Sequence, residues 1–319
     1  MKRIAVLTSG GDAPGMNAAI RSIVRIGFSR NIEVIGAHAG FRGLLEKNFN
    51  PLLPRDVSGL LERGGTILFT SRTDGFEEEE MQEKAIKNLR SEHIDGLIVI
   101  GGNGSQSGSL ALSVKGFPTI GVASTIDNDL WGTDYTIGFD TAVNNAIQAI
   151  DKIRDTATSH ARSFIVEVMG RDKGFIALDS GIATGADIIL IPEVKFDVDK
   201  IIKNIEEGMK KKKMHHLIVC AEGAIRAREL EQIIRSRLDI EIRISVLGYI
   251  QRGGSPTRFD RIIATLFSER ALTELVRGES GKLVGIKDNQ IVLIPLGDAV
   301  MKKKSIDRSL YKIVEEVSV

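Results

Sequence analysis

Short apolar runs alternate along the chain with longer stretches in which apolar positions recur every three or four residues. The short runs are rich in β-branched residues and predict strands at 4–8, 33–37, 96–100, 119–122, 164–168, 188–191, 217–220 and 242–247. Most of them are apolar throughout, which is typical of parallel strands covered on both faces. The stretch 141–156 has the period of an amphipathic helix. The alternation of strands and helices predicts a layered α/β fold with right-handed crossovers.

Polar and glycine-rich segments follow several predicted strands directly, at 9–17, 101–105, 125–129, 169–171 and 222–223. In open α/β sheets, ligands bind beyond the carboxyl ends of the strands, where loops meet the N-termini of helices. We therefore expect the binding residues of this protein in these segments.

Composition limits the class of protein. The chain has 319 residues, 42% of them hydrophobic and 27% charged, which suggests two domains or one large α/β unit. The net charge of +1 gives no global electrostatic argument for a nucleic-acid or membrane partner, and no apolar run approaches the length of a membrane span. The one cysteine, Cys220, lies in an apolar run and is expected in the core. We expect a soluble cytoplasmic protein with a tight domain boundary near 138–140.

Two glycine-rich turns, 9–17 and 101–105, each connect a predicted strand to a predicted helix. Glycines allow the backbone to approach a ligand closely, and a helix N-terminus offers unpaired amides to phosphate. Neither turn matches the Walker pattern or the dinucleotide fingerprint. Each could be only a tight connection, but two of them in equivalent positions favour phosphate binding.

An acidic loop, Thr125-Ile126-Asp127-Asn128-Asp129, follows the predicted strand 119–122. Phosphoryl transfer needs a base for the hydroxyl proton and an acid that holds magnesium, and two carboxylates here can divide those roles. The alternative is an Asx-turn, in which the side chains only cap the backbone. The loop alone does not decide between them.

The motifs SGGDAPGMNAAIR, VIGGNGS, TIDND, IGFDTA, DKIRDT, VMGR, AEG and LGYIQRGGSPT occur in this order and span most of the chain. Together they resemble the bacterial ATP-dependent 6-phosphofructokinase family. The resemblance implies two similar three-layer α/β/α Rossmann-like domains with mainly parallel sheets. A nucleotide-binding domain would comprise 1–138 and 252–304, and a fructose 6-phosphate-binding domain 139–251 and 305–319. The active form would be a homotetramer whose active sites are shared between subunits.

The same resemblance implies phosphoryl transfer from MgATP to the 1-hydroxyl of fructose 6-phosphate. Asp127 would be the base, and Asp129 with Asn103 would hold Mg²⁺. Arg72, Thr125 and Arg171 would complete the catalytic set. The nucleotide would contact Gly11, Arg72, Thr73, Gly102, Asn103, Gly104 and Ser105. Fructose 6-phosphate would contact Thr125, Asp127, Arg162, Met169, Gly170, Arg171, Glu222, Arg243, Tyr249 and Arg252, with Arg162 and Arg243 reaching the 6-phosphate from the neighbouring subunit.

A second anion site is implied for an effector, ADP or phosphoenolpyruvate. Arg21 and Arg25 lie four residues apart and so share one face of a helix. The family pattern adds Arg154, Gly185, Asp187, Lys211 and Lys213. The run 210–213 could instead be a solvated helix end, and Gly59 replaces the aspartate that the family has there.

The chain departs from the family pattern at several site positions. Asn103 replaces an aspartate and brings no charge to magnesium, and Tyr249 replaces a histidine that can become cationic. Ala123-Ser124 replaces Pro-Gly, and Phe41 and Thr73 replace residues near the nucleotide. The last four of these changes could be harmless packing changes. Because several of the changes lie around one site, reduced or altered activity is the alternative.

Three functional alternatives remain open from the sequence. The first is an active, allosterically regulated kinase, and the second is a weakly catalytic or non-catalytic regulatory paralogue that binds the same ligands. The third is an NAD or lipid kinase with a similar glycine motif, although TIDND and the distal arginines argue against it. The small residues Gly104 and Ser124 favour ATP over pyrophosphate as the donor, and GTP also remains possible.

Overall fold

The computed structural model describes residues 1–71, 73–211, 213–307, 309–311 and 313. Its strands are β1 (Arg3–Thr8), β2 (Glu33–Ala37), β3 (Phe49–Pro51), β4 (Gly96–Gly101), β5 (Thr119–Ala123), β6 (Ser163–Val168), β7 (Ile188–Leu190), β8 (Leu217–Ala221), β9 (Ile242–Val246), β10 (Lys282–Lys287) and β11 (Gln290–Pro295). Its helices are α1 (Met16–Ser29), α2 (Gly40–Glu46), α3 (Glu79–Ser91), α4 (Asn103–Val114), α5 (Phe139–His160), α6 (Phe175–Ala183), α7 (Val198–Lys210), α8 (Ala227–Arg235), α9 (Arg258–Val276) and α10 (Leu296–Met301). A short 3-10 helix covers Gly248–Gln251.

The chain divides into two compact units. Unit 1 comprises Met1–Thr141 and Arg252–Lys304, and unit 2 comprises Ala142–Gln251 and Ser305–Val319. Unit 1 contains a sheet in the order β11-β10-β5-β4-β1-β2-β3, and unit 2 a sheet in the order β7-β8-β6-β9. All pairs are parallel except β2–β3 and β10–β11. The predicted α/β class with mainly parallel sheets is confirmed.

All eight predicted strands are present, with ends that differ from the prediction by one residue at most. The prediction missed β3, β10 and β11. The β10–β11 hairpin turns at Asp288 and Asn289, whose φ angles are 50° and 60°. Two consecutive positive φ angles are typical of a type I′ turn, so this dipeptide was the missed signal.

Both faces of the central strands are covered, as the continuous apolar runs predict. Ala5 and Leu7 of β1 belong to a core cluster with Phe41 and Leu89, while Ile4 on the opposite face is also fully buried. Unit 2 has its own apolar cluster, which contains Cys220. Burial raises the pKa of the Cys220 thiol to about 12, and the thiol is therefore a core group.

Neighbouring parallel strands bring the polar segments of each unit together at the carboxyl ends of the strands, which form one edge of its sheet. In unit 1, Thr8 of β1 is in register with Ile100 of β4, and Gly101 of β4 with Ala123 of β5. In unit 2, Val168 of β6 is in register with Ala221 of β8. Because these strands are parallel, the segments that follow them leave from the same edge.

The helix predicted at 141–156 extends further, as α5, from Phe139 to His160. No helix in the described part of the chain is both long and apolar enough to cross a membrane. The start of α5 is held by Asp260 of α9, whose side chain is fully buried. The carboxylate accepts the backbone N–H groups of Gly138 and Thr141, each at 2.8 Å, and the Thr141 hydroxyl.

Asp260 makes the stability of the fold depend on pH. Burial raises the pKa of Asp260 from 3.8 to about 6, outweighing the three donors, which lower it. Below about pH 4 the carboxyl is protonated in the folded and unfolded chains, whereas above about pH 6 the folded chain carries an ionised, poorly solvated group. The contribution of Asp260 to the free energy of unfolding should therefore fall by roughly 2 kcal/mol as the pH rises from about 4 to about 6.

Urea unfolding of the wild type and of Asp260→Asn over this pH range tests the prediction. The variant has no titrating group at this position, so its free energy of unfolding should lack the fall that Asp260 causes in the wild type. The exposed Asp239 provides a matched control, since Asp239→Asn should retain the pH dependence of the wild type. Equal pH dependence in wild type and Asp260→Asn would show that Asp260 is not its source.

Candidate active site

The two glycine-rich turns of unit 1 lie side by side. The Ser9 N–H donates to the carbonyl of Ile100 at 3.1 Å, which joins the first turn to the strand that precedes the second. A Cβ atom on Gly10 would lie 3.3 Å from the Ser105 hydroxyl oxygen. The first turn leads into α1 and the second into α4, so two helix N-termini open at one sheet edge. Adjacent N-terminal amides of this kind suit a chain of phosphates.

The Ser105 hydroxyl independently indicates that a ligand binds between the two turns. Its oxygen is buried and has no hydrogen-bond partner among the described residues. A Cβ atom on Gly101 would collide with this side chain. A buried polar group without a partner is costly, and a phosphate oxygen between the turns would satisfy it.

Arg252 lies against the first turn. A Cβ atom on Gly11 would overlap the Arg252 guanidinium, so any side chain at position 11 would displace that group. A guanidinium in this position can pair with phosphate oxygens. The structure therefore brings Arg252 to the turn that the sequence predicts for the nucleotide.

The acidic loop follows β5 and lies next to the second glycine-rich turn. The Ser124 N–H donates to the Gly101 carbonyl at 3.2 Å, and a Cβ atom on Gly102 would lie 3.2 Å from that of Thr125. The Asp127 N–H donates to the Thr125 hydroxyl at 3.2 Å, and the Asp127 side chain is 5% exposed. A carboxylate thus lies in the loop next to the predicted phosphate site.

Asn128, between the two aspartates, bonds to the backbone of the loop. Its φ angle is 51°, and its amide N–H donates to the Asp134 carbonyl at 3.0 Å. The Thr136 hydroxyl donates to the Thr125 carbonyl at 2.6 Å and braces the same loop. Asn128 thus stabilises the loop backbone between the two aspartates.

Asp129 and Asn103 provide oxygen ligands of the kind that Mg²⁺ prefers. Asp129 is half-buried at the end of the acidic loop, and Asn103 is the first residue of α4. Among the described residues, no group of three or more His, Cys, Asp or Glu side chains forms a metal site. Magnesium is usually held by one or two carboxylates together with substrate phosphates, so this donor set fits a magnesium ion that arrives with a nucleotide.

The remaining residues that are predicted to contact the nucleotide lie in two segments. Gly102 and Gly104 belong to the second turn, and Thr73 has a buried hydroxyl with no partner among the described residues. Arg72 lies outside the described residues. Phe41, which replaces a family tyrosine, stacks on Phe76 with ring centroids 4.3 Å apart and is part of the core.

In unit 2, a second set of predicted residues meets after β6 and β8. The Arg171 N–H donates to a carboxylate oxygen of Glu222 at 3.0 Å, and the Glu222 N–H donates to the Val168 carbonyl at 2.9 Å. Gly170 has a φ angle of 141° and Arg171 one of 52°, which is uncommon for a residue with a side chain. Strained backbone of this kind clusters at ligand sites.

The turn after β9 packs against this pair. The Met169 N–H donates to the side-chain oxygen of Gln251 at 3.3 Å, and Gln251 donates to the Gly248 carbonyl at 3.1 Å. Gln251 is fully buried, whereas Tyr249 in the same turn is 78% exposed. The predicted substrate residues Met169, Gly170, Arg171, Glu222 and Tyr249 are thus all on loops that leave one edge of the sheet.

Sequence reasoning missed Glu167 and Arg226. Glu167 is 6% exposed and accepts both the Arg226 guanidinium at 2.8 Å and the Ala227 N–H at 2.7 Å. Arg226 also contacts Glu222 at 3.4 Å. The available signal was a charged residue inside the apolar run of β6.

Arg162 and Arg243 are at the opposite edge of the unit 2 sheet. Arg162 precedes β6, whereas Met169 follows it, and a six-residue strand spans about 20 Å. Arg243 is beside Phe164 at the start of β6. The structure therefore does not bring these arginines to Arg171 within one chain.

The predicted effector residues of unit 2 are partly assembled. A Cβ atom on Gly185 would lie 3.9 Å from the Arg154 guanidinium, two of whose nitrogens are buried without a partner among the described residues. Lys213 forms an ion pair with Asp187, and Lys211 follows α7. In unit 1, Arg21 and Arg25 share a face of α1.

Partial burial is the main cause that lowers the pKa of Arg21, and repulsion by Arg25 adds to it. The mutual repulsion of these two cations would be relieved by a bound anion.

Comparison with known proteins gives one consistent family. A phosphofructokinase family model matches residues 3–275. An ATP-dependent 6-phosphofructokinase from Lysinibacillus sphaericus is 49% identical over 100% of both chains, and one from Persephonella marina is 53% identical over 93% of both.

Solved structures of phosphofructokinases have the same fold. That from Saccharomyces cerevisiae gives a TM-score of 0.88 at 34% identity, covering 100% of this chain and 47% of that chain. A pyrophosphate-dependent phosphofructokinase from Marinobacter aquaeolei gives a TM-score of 0.87 at 23% identity, with 97% of this chain and 86% of that chain covered, and supports the fold alone.

Proposed function

Because the chain belongs to the phosphofructokinase family, we propose that it transfers a phosphoryl group from MgATP to the 1-hydroxyl of fructose 6-phosphate, giving fructose 1,6-bisphosphate and ADP. The full-length relatives are ATP-dependent 6-phosphofructokinases, so the chain is a kinase with ATP as its co-substrate. This relationship removes the NAD and lipid kinase alternative.

The buried carboxylate of Asp127 beside the glycine turns is the observation that carries the proposal. A base in this position takes the proton of the sugar 1-hydroxyl as the hydroxyl oxygen attacks the terminal phosphorus of ATP. Thr125 fixes the loop backbone, and Ser105 and the helix N-termini bind the phosphates. Arg72 and Arg171 complete the catalytic set.

Mg²⁺ would be held by Asp129, with the neutral amide of Asn103 as the second protein ligand. When bound, the ion neutralises charge on the phosphate oxygens. Because Asn103 contributes no negative charge, we expect weaker magnesium binding than an aspartate would give.

Small residues support ATP rather than pyrophosphate as the donor. No described atom lies within 4 Å of the position that a Cβ on Gly104 would take. This open space leaves room for a nucleoside. Ser124 is fully buried, and its hydroxyl donates to the Ile137 carbonyl at 3.3 Å. A long cationic side chain in the place of Ser124 would therefore need the loop to rearrange.

Fructose 6-phosphate would be held by Arg252 and by the loops that carry Met169, Gly170, Arg171, Glu222 and Tyr249. Arg162 and Arg243 would bind the 6-phosphate of a substrate on a neighbouring subunit of a homotetramer. The distance of these arginines from Arg171 within one chain supports this division.

The proposal includes regulation by an effector. Arg21, Arg25, Arg154, Gly185, Asp187, Lys211 and Lys213 would bind ADP or phosphoenolpyruvate. Two buried nitrogens of Arg154 have no partner among the described residues, which supports an anion in this place. Addition of ADP or phosphoenolpyruvate at subsaturating fructose 6-phosphate should change the rate, and a rate that neither effector changes would contradict this part.

An assay of ADP release by the purified chain with ATP, magnesium and fructose 6-phosphate tests the activity. We expect release that requires the sugar phosphate. Binding of both ligands without release would instead support the second candidate, a weakly catalytic or non-catalytic regulatory paralogue. Asn103 in place of a charged magnesium ligand is the observation that favours that candidate.

A further inference from the structure

Arg162 and Arg243 share one carboxylate. The Arg162 Nε donates to one oxygen of Glu241 at 2.9 Å, and a terminal nitrogen of Arg243 donates to the other oxygen at 2.6 Å. All three side chains are partly exposed, between 36% and 56%. The two arginines proposed to bind a phosphate thus already hold an anion of their own chain.

The sheet fixes this arrangement. Glu241 immediately precedes β9 and Arg243 is the second residue of that strand, and the hydrogen bond between them places both side chains on one side. The Ser163 N–H donates to the Glu241 carbonyl at 3.3 Å, which holds Arg162 beside Glu241. Backbone pairing therefore places the three residues next to one another.

A carboxylate that bridges two guanidinium groups has the geometry in which a phosphate would bridge them. Each guanidinium has five N–H donors and uses one on Glu241, so both can still bind an anion. The cluster contains two positive charges and one negative charge, which leaves a net charge of +1. An incoming phosphate must compete with Glu241 for donors and is repelled by it.

We propose that Glu241 is a built-in counter-anion that weakens the binding of the fructose 6-phosphate 6-phosphate to Arg162 and Arg243. The proposal rests on the proposed function, which assigns the 6-phosphate to these arginines. Glu241 holds the pair together when no substrate is bound and sets the substrate concentration at which the enzyme half-saturates. It acts on binding and not on the chemical step.

The alternative role for Glu241 is a brace that the arginines need in order to bind phosphate. The two roles predict opposite changes in affinity when the charge is removed. Glu241→Gln keeps the size of the side chain and removes the charge. If Glu241 is a counter-anion, the affinity for phosphate rises, whereas if it is a brace, the affinity falls.

The test compares steady-state kinetics of the wild type, Glu241→Gln, Glu241→Asp and the control Asp239→Asn, which removes a charge from an exposed residue two positions away. Glu241→Gln should lower the KM for fructose 6-phosphate about three- to tenfold with kcat unchanged, and this gain should shrink at high salt. Glu241→Asp and Asp239→Asn should stay near the wild type. An unchanged or raised KM in Glu241→Gln, or an equal fall in Asp239→Asn, would overturn the proposal.

Calorimetric titration with inorganic phosphate separates this proposal from the proposed function, because binding is measured without turnover. Glu241→Gln should bind phosphate more tightly than the wild type by a similar factor. If the wild type releases no sugar-dependent ADP, the proposed function fails while this comparison still decides the role of Glu241. Equal phosphate affinity in an active enzyme would overturn the counter-anion alone.

Discussion

Replacing Asp127 with asparagine should lower kcat by roughly 10²- to 10⁴-fold, the range that a positioned general base contributes. The amide has nearly the same shape but cannot take the proton of the sugar hydroxyl. Because Asp127 is buried next to the glycine turns, water cannot easily replace it as the base. The KM values for ATP and fructose 6-phosphate should change much less, which steady-state kinetics will measure.

Asp129→Asn provides the matched comparison, since it removes the same charge from the other aspartate of the loop. If Asp129 holds magnesium, a higher magnesium concentration should restore part of its activity. The Asp127→Asn variant should not recover under those conditions, because its defect is in proton transfer. Recovery of Asp127→Asn, or a loss of less than tenfold, would show that Asp127 is not the base.

Replacing Asn103 with aspartate should raise kcat roughly tenfold to a thousandfold, by analogy with the loss of one electrostatic catalytic group. The new carboxylate adds a negative charge at the N-terminus of α4, beside the second glycine turn. It should also lower the magnesium concentration needed for half-maximal activity. Rates measured across a magnesium titration give both quantities.

Ser107→Asp is the control for this variant. Ser107 is exposed one turn further along α4, and its hydroxyl donates to the Asn103 carbonyl. An aspartate there adds the same charge to the same helix without reaching the magnesium. If both variants raise kcat equally, or neither does, the account of Asn103 as a weak magnesium ligand is wrong.

The strands were predictable because burial on both faces leaves a continuous apolar run in the sequence, as in 4–8 and 217–220. The hairpin of β10 and β11 was missed, although its Asp288-Asn289 turn carries a local signal. The glycine turns were also predictable, since a strand, a glycine cluster and a helix start are contiguous in sequence. Features whose residues are contiguous in sequence can thus be predicted without knowledge of the fold.

Long-range contacts were not predictable in this way. The pairing of Asp260 with Gly138 and Thr141 joins residues about 120 positions apart, and the Arg226–Glu167 contact joins residues 59 apart. The family pattern singled out Arg162 and Arg243 but gave no indication of Glu241. These contacts depend on strand order and register, which the alternation of apolar and polar residues does not encode.

A crystal structure with fructose 6-phosphate, magnesium and a non-hydrolysable ATP analogue tests the central claim most directly. The account predicts a carboxylate oxygen of Asp127 within about 3 Å of the sugar 1-hydroxyl, with the nucleotide phosphates on the turns that contain Gly11 and Ser105. A sugar bound with its 1-hydroxyl out of reach of Asp127, or phosphates bound away from those turns, would contradict it.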